Sequence, residues 1–442
     1  MSSINNLSDS NSFAWKDYEK IALRFFTIYF IIQAIPLDWK FYAELFSLQW
    51  NVYGLFSLTK YAPQFFSFTG YWNWVIAAAL AAVGTAAWIR LERKEVNYEK
   101  LYYWLRVILR YRLAIGIIGY GFIKLFPLQI PYPSLSNLHT NYGDFFAWKI
   151  YFHTVGITQG YEIFLGAVEI LAGILLFFRK TVTFGTGLII GFVGNVLAAN
   201  IAYDAGEQVY SAYLVAIALF LFVYDVPRLY SLLAREDYTI ANKFKPVFAE
   251  KWLATTRLIL KGVFALFVVV YGIAAYANYT TAPYKIPQTQ GLKNSYGFYN
   301  VREFVFNKDT IPYSTTDPNR WQNVVFEKWA TVSIKIARPI KLDLSTGDGF
   351  HEKDIDRNYE SAGVGGRRYY AYQADTIKHT LLLENKNKNH AGEKFNLTYT
   401  QVNDSTIVVK GVSEKNDSIY AILDKINRKY MLFEGRRKPV KL

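Results

Sequence analysis

The sequence predicts a multispan α-helical membrane bundle followed by a soluble, mainly antiparallel β-domain. Of its 442 residues 52% are hydrophobic and 18% aromatic, yet the mean hydropathy is only +0.08 because two unlike halves are averaged. Apolar residues dominate before residue 278, whereas charged residues recur every few positions after it. We therefore predict a transmembrane helical domain over 1–277, a connector over 278–322 and a β-domain over 323–442.

Seven apolar segments, each close to the roughly 20 residues that cross the hydrocarbon layer, indicate about seven spans. They are 21–37, 71–89, 104–126, 160–178, 182–202, 209–226 and 257–276. Residues 1–12 are polar and lack the pattern of a cleaved signal peptide, so the first span is expected to be retained. Gly187 and Gly191 form a GxxxG spacing, which favours close packing of the fifth span against a neighbour.

The distribution of basic residues predicts the orientation of these spans. One set of loops and flanks carries nineteen Lys and Arg residues, against three in the alternate loops. The three are Lys40, Lys60 and Lys149. Because cytoplasmic loops are enriched in Lys and Arg, we expect a multi-pass inner-membrane protein with a cytoplasmic N-terminus and a periplasmic β-domain. The same bias accounts for much of the net charge of +14, so the expected partners are the lipid bilayer and other membrane or periplasmic proteins, and no nucleic acid.

Composition also limits the chemistry. The chain has no cysteine, which excludes a disulfide, a thiolate nucleophile and a Cys-ligated metal. Its five histidines show no HxxxH or HExxH spacing, so no metal site is expected. A redox role would therefore depend on a bound cofactor or on a partner, and no catalytic residue can be assigned.

Two outward loops are unusually aromatic. Phe41–Phe68 and Tyr142–Ile157 combine Phe, Tyr and Trp with few charges. Such segments favour helices that lie at the outer interface or fold back over the bundle. A lid over a site and simple interfacial packing both fit this pattern.

The C-terminal part predicts an antiparallel meander that forms a small sandwich or barrel. Short runs rich in Val, Ile, Thr, Tyr and Leu alternate with turn tracts rich in Asn, Asp and Lys. The predicted strands are Val324–Ile336, Thr376–Glu384, Phe395–Gln401, Thr406–Lys410, Ile419–Leu423 and Tyr430–Phe433. Gly363–Gly366 with Arg367 and Arg368 is expected to be a flexible basic loop.

Polar residues inside the spans mark a candidate site, because ionisable groups are costly in the membrane. Those predicted near the outer ends of spans three to six, with one histidine from an outer loop, form a candidate ligand-binding cavity. They are Glu169, Glu162, Lys124, Asn195, Asn200, Asp204, Tyr120 and His153. We expect Glu169 to face Lys124 or Asn195. The alternative is that these groups only form hydrogen bonds that hold the helices together.

Residues 104–230 resemble the DoxX family of four-helix membrane modules. The resemblance is carried by Ile115–Leu125, Gly160–Phe178, the basic turn at 179–181 and Gly185–Asn200. A glutamate within a Gly-containing fourth span, a basic turn and a fifth span rich in small residues are typical of that family. More distantly, the membrane part is similar to vitamin K-dependent carboxylase-like proteins, and the tail from Trp321 resembles the periplasmic extension of DoxX-like proteins of Bacteroidetes.

The resemblance implies membrane-associated redox work or a component of an envelope complex. A quinone or a bound lipid would be the implied ligand, with Glu169 as a buried hydrogen-bonding or proton-accepting group and Lys124 and Asn195 polarising a ligand oxygen. Two alternatives stay open. One is a non-enzymatic scaffold, assembly or export subunit that docks partners through its β-domain. The other is a carboxylase-like transferase, for which Lys124 with His153 is the candidate pair.

Overall fold

The computed structural model describes residues 15–47, 51–65, 70–92, 95–239, 251–281 and 284–435. The chain forms two compact units. The helical unit comprises Met1–Leu125, Phe164–Ile201 and Gly206–Tyr276, and the barrel unit comprises Phe126–Ile163, Ala202–Ala205 and Ala277–Leu442.

In the described residues, helices predominate up to residue 281 and strands after residue 296. The helices are α1 Asp17–Ala34, α2 Trp39–Phe46, α3 Val52–Thr59, α4 Trp72–Leu91, α5 Tyr98–Leu125, α6 Leu135–Leu138, α7 Ala147–Gly156, α8 Gln159–Phe177, α9 Val182–Ala202, α10 Gln208–Val223, α11 Val226–Ala234, α12 Lys251–Thr281 and a short α13 Met431–Glu434. The strands are β1 Gly297–Phe306, β2 Asp309–Thr310, β3 Asn323–Phe326, β4 Thr331–Lys335, β5 Arg368–Asp375, β6 Thr380–Asn385, β7 Lys394–Asn403, β8 Thr406–Ser413 and β9 Ser418–Lys425.

Several of these helices are suited to a membrane. Among the described residues, four are long and apolar enough to cross one, namely α4, α8, α9 and the part of α12 from Thr255. A fifth arises if α10 and α11, bent by 65° at a short break, count as one span. The predicted number of about seven is therefore not confirmed. Predicted spans 21–37 and 104–126 overlap α1 and α5 and run past their ends by three residues and one residue. Charged residues of these helices, such as Arg24 and Arg112, lower the mean hydropathy.

Helix α5 lies at the core of the helical unit. Leu105, Leu109, Leu113 and Ile117 recur every four residues and are at most 2% exposed, so they form one buried stripe along the helix. Helices α1, α3 and α10 pack against α5. α3 belongs to the aromatic segment 41–68, of which residues 48–50 and 66–68 lie outside the described part.

Small residues bring α5 and α8 together. A Cβ on Gly166 would lie 2.4 Å from the backbone nitrogen of Leu125 and 2.6 Å from the carbonyl oxygen of Gly121. Glycine is therefore required where these two backbones approach. The GxxxG on α9 does not have this role, because a Cβ on Gly191 would meet no described atom within 4 Å.

The antiparallel meander predicted for the C-terminal part is confirmed and closes into a barrel. The sheet has nine strands in the order β2-β1-β3-β4-β5-β6-β7-β8-β9, with an additional pairing between β1 and β9. Because the two-residue β2 pairs only with β1, eight strands form the ring. Inward side chains of these strands, such as Phe304, Val332 and Leu383, make the core.

Some boundaries differ from the predicted ones. The connector predicted over 278–322 contains β1 and β2, so the barrel begins well before residue 323. The segment 324–336 is two strands joined by a turn at 327–330, not one strand. The run 430–433, predicted to be a strand, contributes to the short helix α13 instead.

Candidate functional site

A buried ion pair lies between α5 and α8. Lys124 Nζ is 2.5 Å from Glu169 Oε1, and the two side chains are 8% and 3% exposed. Each partner lies three residues beyond the glycine at which its helix approaches the other, Gly121 on α5 and Gly166 on α8, so the close backbone contact places these side chains together. The second carboxylate oxygen, Glu169 Oε2, is buried and accepts no hydrogen bond from the described residues.

Tyr120 links this pair to a second carboxylate. Its ring lies 5.5 Å from Lys124 Nζ, and its hydroxyl donates to Glu207 Oε2 at 2.8 Å. The other oxygen of Glu207 lies 2.5 Å from Lys60 Nζ. Lys60 and Glu207 are in segments that the sequence places in outer loops, so hydropathy alone did not mark them as part of the site.

Arg112 extends the polar network deeper into the helical unit. It is 8% exposed and donates to the carbonyl oxygens of Thr59 and Tyr61 and to the Tyr210 hydroxyl. The Tyr210 ring stacks on Tyr120 at 5.5 Å. Arg112 is one of the nineteen Lys and Arg residues counted above, near the start of the third predicted span. In the structure it satisfies backbone carbonyls at the end of α3, which therefore packs into the bundle.

The remaining residues of the candidate cavity are dispersed. Asn200 is buried on α9 and donates to Ser211 Oγ at 3.4 Å, whereas Asn195 is exposed on the same helix. Asp204, Glu162 and His153 belong to the barrel unit. Asp204 is an exposed turn residue with a positive φ of 52°, and Glu162 is buried and accepts from the Ile130 N–H at 2.9 Å.

His153 has an apolar setting. Its ring packs edge-to-face against Phe145 with centroids 4.9 Å apart. Burial, assisted by the charge of Lys149, lowers the pKa of His153 to about 3. It is thus neutral at physiological pH. Lys124 and His153, the candidate pair for a transferase, belong to different units.

Lys149 and Lys285, two of the buried lysines of the barrel unit, lie beside the ring of Tyr359 and were missed by sequence reasoning. Lys149 is fully buried. Its ammonium group donates to the backbone carbonyl oxygen of Tyr359 and lies 3.8 Å from the centroid of the Tyr359 ring. Lys285 lies 4.6 Å from that ring and pairs with Asp348. Burial, and next the charge of Lys285, lowers the pKa of Lys149 to about 7.

A buried carboxylate in the same unit accepts hydrogen bonds from backbone N–H groups at the N-terminus of a short helix. Glu327 accepts from the Ser136 N–H at 2.7 Å and from the Leu135 N–H at 3.3 Å, at the start of α6. Burial, followed by the charge of Glu360, raises the pKa of Glu327 to about 7. Glu360 itself pairs with Lys386 at 2.9 Å. These contacts attach residues 134–140 to the strands.

No group of three or more His, Asp or Glu residues in the described ranges is arranged to hold a metal ion. The polar network of α3, α5, α8 and α10 instead offers ammonium, guanidinium, carboxylate and phenol groups in apolar surroundings. Such groups recognise oxygen atoms of a ligand by hydrogen bonding.

Comparisons with known proteins leave the family open. No family model matches the chain, and no solved structure matches it. The uncharacterized protein YwoB of Bacillus subtilis (strain 168) is 32% identical over 79 residues, which are 18% of this chain and 49% of that protein. The chain therefore spans about half the length of this curated relative.

Proposed function

We propose that this chain is a DoxX-like inner-membrane protein that binds a quinone or another lipid-like molecule in its helical unit. It would act as a membrane-anchored component of a redox or envelope complex, with a cytoplasmic N-terminus and a periplasmic barrel. The observation that carries the proposal is the buried Lys124–Glu169 pair, in which Glu169 Oε2 accepts no hydrogen bond from the part of the chain that the structure describes.

Burial of these charges has a cost that a ligand would offset. A charged residue at the centre of a membrane helix is disfavoured by roughly 2.5–3.5 kcal/mol on insertion scales, and such residues are usually retained for function. Lys124 and Glu169 compensate each other only in part, because Glu169 Oε2 is left without a donor among the described residues. A hydroxyl or head-group N–H of a ligand would donate to Glu169 Oε2, and Lys124 would donate to a carbonyl-type oxygen.

The experiment is to extract the full-length protein into native nanodiscs and quantify co-purifying quinones and lipids by mass spectrometry. We expect one quinone or lipid class at near-stoichiometric level. Glu169→Gln should retain it about ten- to hundredfold less well, since a hydrogen bond to a charged group contributes roughly 1.5–3 kcal/mol.

Glu95→Gln is the matched control, because it makes the same chemical change at an exposed position. It should retain the ligand like the wild type. Equal retention by Glu169→Gln would refute the assignment. A stoichiometric protein partner without any enriched small molecule would instead support the alternative of a non-enzymatic scaffold.

A further inference from the structure

One end of the barrel opens into a cavity. It has a volume of about 530 Å³, within the roughly 300–1,000 Å³ of small-molecule sites. The residues that line it come from the end of β1, the end of β4, the starts of β5, β7 and β9, and the chain just before β3, which all meet at the same end of the barrel. Its deep wall is apolar and aromatic. The deep residues are Trp321, Ile334, Tyr370, Phe395 and Ile419.

The opposite end of the barrel is covered by its own chain. The Leu292 N–H donates to the Tyr372 hydroxyl at 2.7 Å, and Leu292 is part of the hydrophobic core. Gln401 at the end of β7 donates to the carbonyl oxygen of Lys293 at 3.0 Å. One end of the barrel is therefore covered, and the other, called the mouth below, is open. An eight-stranded barrel has an interior just wide enough to be filled by side chains or to hold one small ligand; here side chains fill it up to the cavity at the open end.

The guanidinium group of Arg368 lies at the mouth, and one of its N–H donors has no acceptor among the described residues. The side chain of Arg368 is 3% exposed and pairs with Glu393; it also donates to the carbonyl oxygen of Pro339 at 3.0 Å. Its Nε–H is buried and has no acceptor among the described residues. A buried donor without an acceptor is costly, which favours a ligand oxygen at this position.

The neighbouring carboxylate is already shared. Glu393 accepts from Arg368 and from Asn385 Nδ2 at 2.8 Å, and Arg338 Nη1 lies 4.0 Å from its second oxygen. Two guanidinium groups thus face one carboxylate, so one positive charge is not neutralised by this group. Both arginines line the cavity. Over the whole lining, four cationic side chains (Arg338, Arg368, Lys394 and Lys415) stand against three carboxylates (Glu393, Glu414 and Asp417). The excess positive charge and the spare Arg368 donor favour an anionic oxygen above an apolar interior.

We propose that the barrel binds a single-chain amphiphile with a carboxylate head group, of the fatty-acid type. The alkyl chain lies against Trp321, Phe395 and Ile419, and the carboxylate accepts from Arg368. The size of the cavity suits one chain better than a two-chain phospholipid. This site lies wholly in the barrel unit and does not depend on the function proposed for the helical unit.

The experiment uses the full-length protein in phosphatidylcholine nanodiscs with a long-chain fatty acid that carries a photoreactive diazirine. After illumination, labelled peptides are mapped by mass spectrometry. We expect labels on Trp321, Tyr370 or Phe395. Unlabelled fatty acid should compete for them, whereas the alcohol of the same chain length should compete at least about tenfold less well.

Two variants test the two halves of the site. Arg368→Met should weaken labelling about tenfold or more, because it removes the charged donor. Ile336→Trp, which places a larger side chain at the mouth and leaves the arginine network intact, should abolish labelling. Matched controls are Lys410→Met and Leu382→Trp, which make the same types of change on the exposed outer face of the barrel.

Labels confined to helical peptides, or equal competition by acid and alcohol, would overturn the proposal. So would wild-type labelling of Arg368→Met, or of Ile336→Trp, in protein whose β-strand content is preserved. Glu169→Gln should leave barrel labelling unchanged, so failure at this site is distinguishable from failure of the proposed site in the helical unit.

Discussion

Replacing Glu327 by glutamine should change how the stability of the barrel unit depends on pH. Glu327 is 2% exposed, and its pKa is raised from the ordinary 4.5 to about 7 because burial and the Glu360 charge disfavour the ionised form. The folded state then holds a proton that the unfolded state releases between pH 4.5 and 7. Stability from this group is therefore fully present below pH 4.5 and decreases as the pH rises to 7.

The size of the effect follows from the shift. A shift from 4.5 to about 7, at about 1.4 kcal/mol for each pH unit, corresponds to roughly 3 kcal/mol. Glu327→Gln cannot ionise, yet its amide oxygen can still accept from the Ser136 N–H. The free energy of unfolding of the variant, relative to the wild type, should therefore increase by up to about 3 kcal/mol between pH 4.5 and about pH 8.

The assay is urea unfolding of the full-length protein in nanodiscs across this pH range, followed by pulse proteolysis of the barrel. Infrared spectroscopy provides a direct check, because a protonated carboxyl band that titrates near pH 7 should be lost in Glu327→Gln. Glu303→Gln, which removes an exposed carboxylate from β1, is the matched control. A difference between variant and wild type that stays constant from pH 4.5 to about 8 would refute the reasoning.

Three further predictions concern other buried groups. The pKa of Lys149 is about 7 in the folded state, against an ordinary value of 10.5. The free energy of unfolding of the wild type should therefore increase as the pH rises from about 7 to 10.5, by at most roughly 5 kcal/mol. The same urea assay should show that Lys149→Met lacks this slope, and an unchanged slope would contradict the assignment. Lys124→Met or Glu169→Leu alone should each cost about 3–5 kcal/mol, whereas the double variant should be near neutral. Thermal unfolding in micelles measures this, and single variants as stable as the double would contradict a buried pair. Gly411→Ala should destabilise the barrel by about 1–3 kcal/mol or more, because the added Cβ would lie 2.0 Å from a backbone oxygen of β7. Gly392→Ala, whose Cβ would make only an ordinary contact with Glu414 Oε2 at 3.6 Å, should unfold at the wild-type urea midpoint.

The sequence predicted the two halves of the fold from patterns that local physics controls. The alternating run from Phe395 predicted β7 within a few residues, because each second side chain is buried. The turn at 327–330 was missed, since Glu327-Lys328-Trp329-Ala330 has no glycine or proline to mark it. Contacts made by Glu327 with a segment almost two hundred residues earlier stabilise this turn, and no local pattern reports them.

The polar network was predicted only in part, for a related reason. Ionisable groups within apolar runs are conspicuous, so Glu169 and Lys124 were found, and the structure brings them together. Glu207 and Lys60 lie outside the predicted spans and were read as loop residues. Asn195 was included because it lies on a predicted span, but the side of α9 that it occupies is decided by packing.

The sequence by itself determined that this protein has apolar helices fit for a membrane, a separate set of antiparallel strands and no thiol chemistry. Those properties depend on composition and on side-chain periodicity over short stretches. Only the tertiary structure decided that β1 pairs with β9 to close a barrel, and that one end of this barrel is open beside Arg368. It also decided which buried charges have partners. Such features depend on residues far apart in the chain, whose pairing is set by the packing of the whole unit.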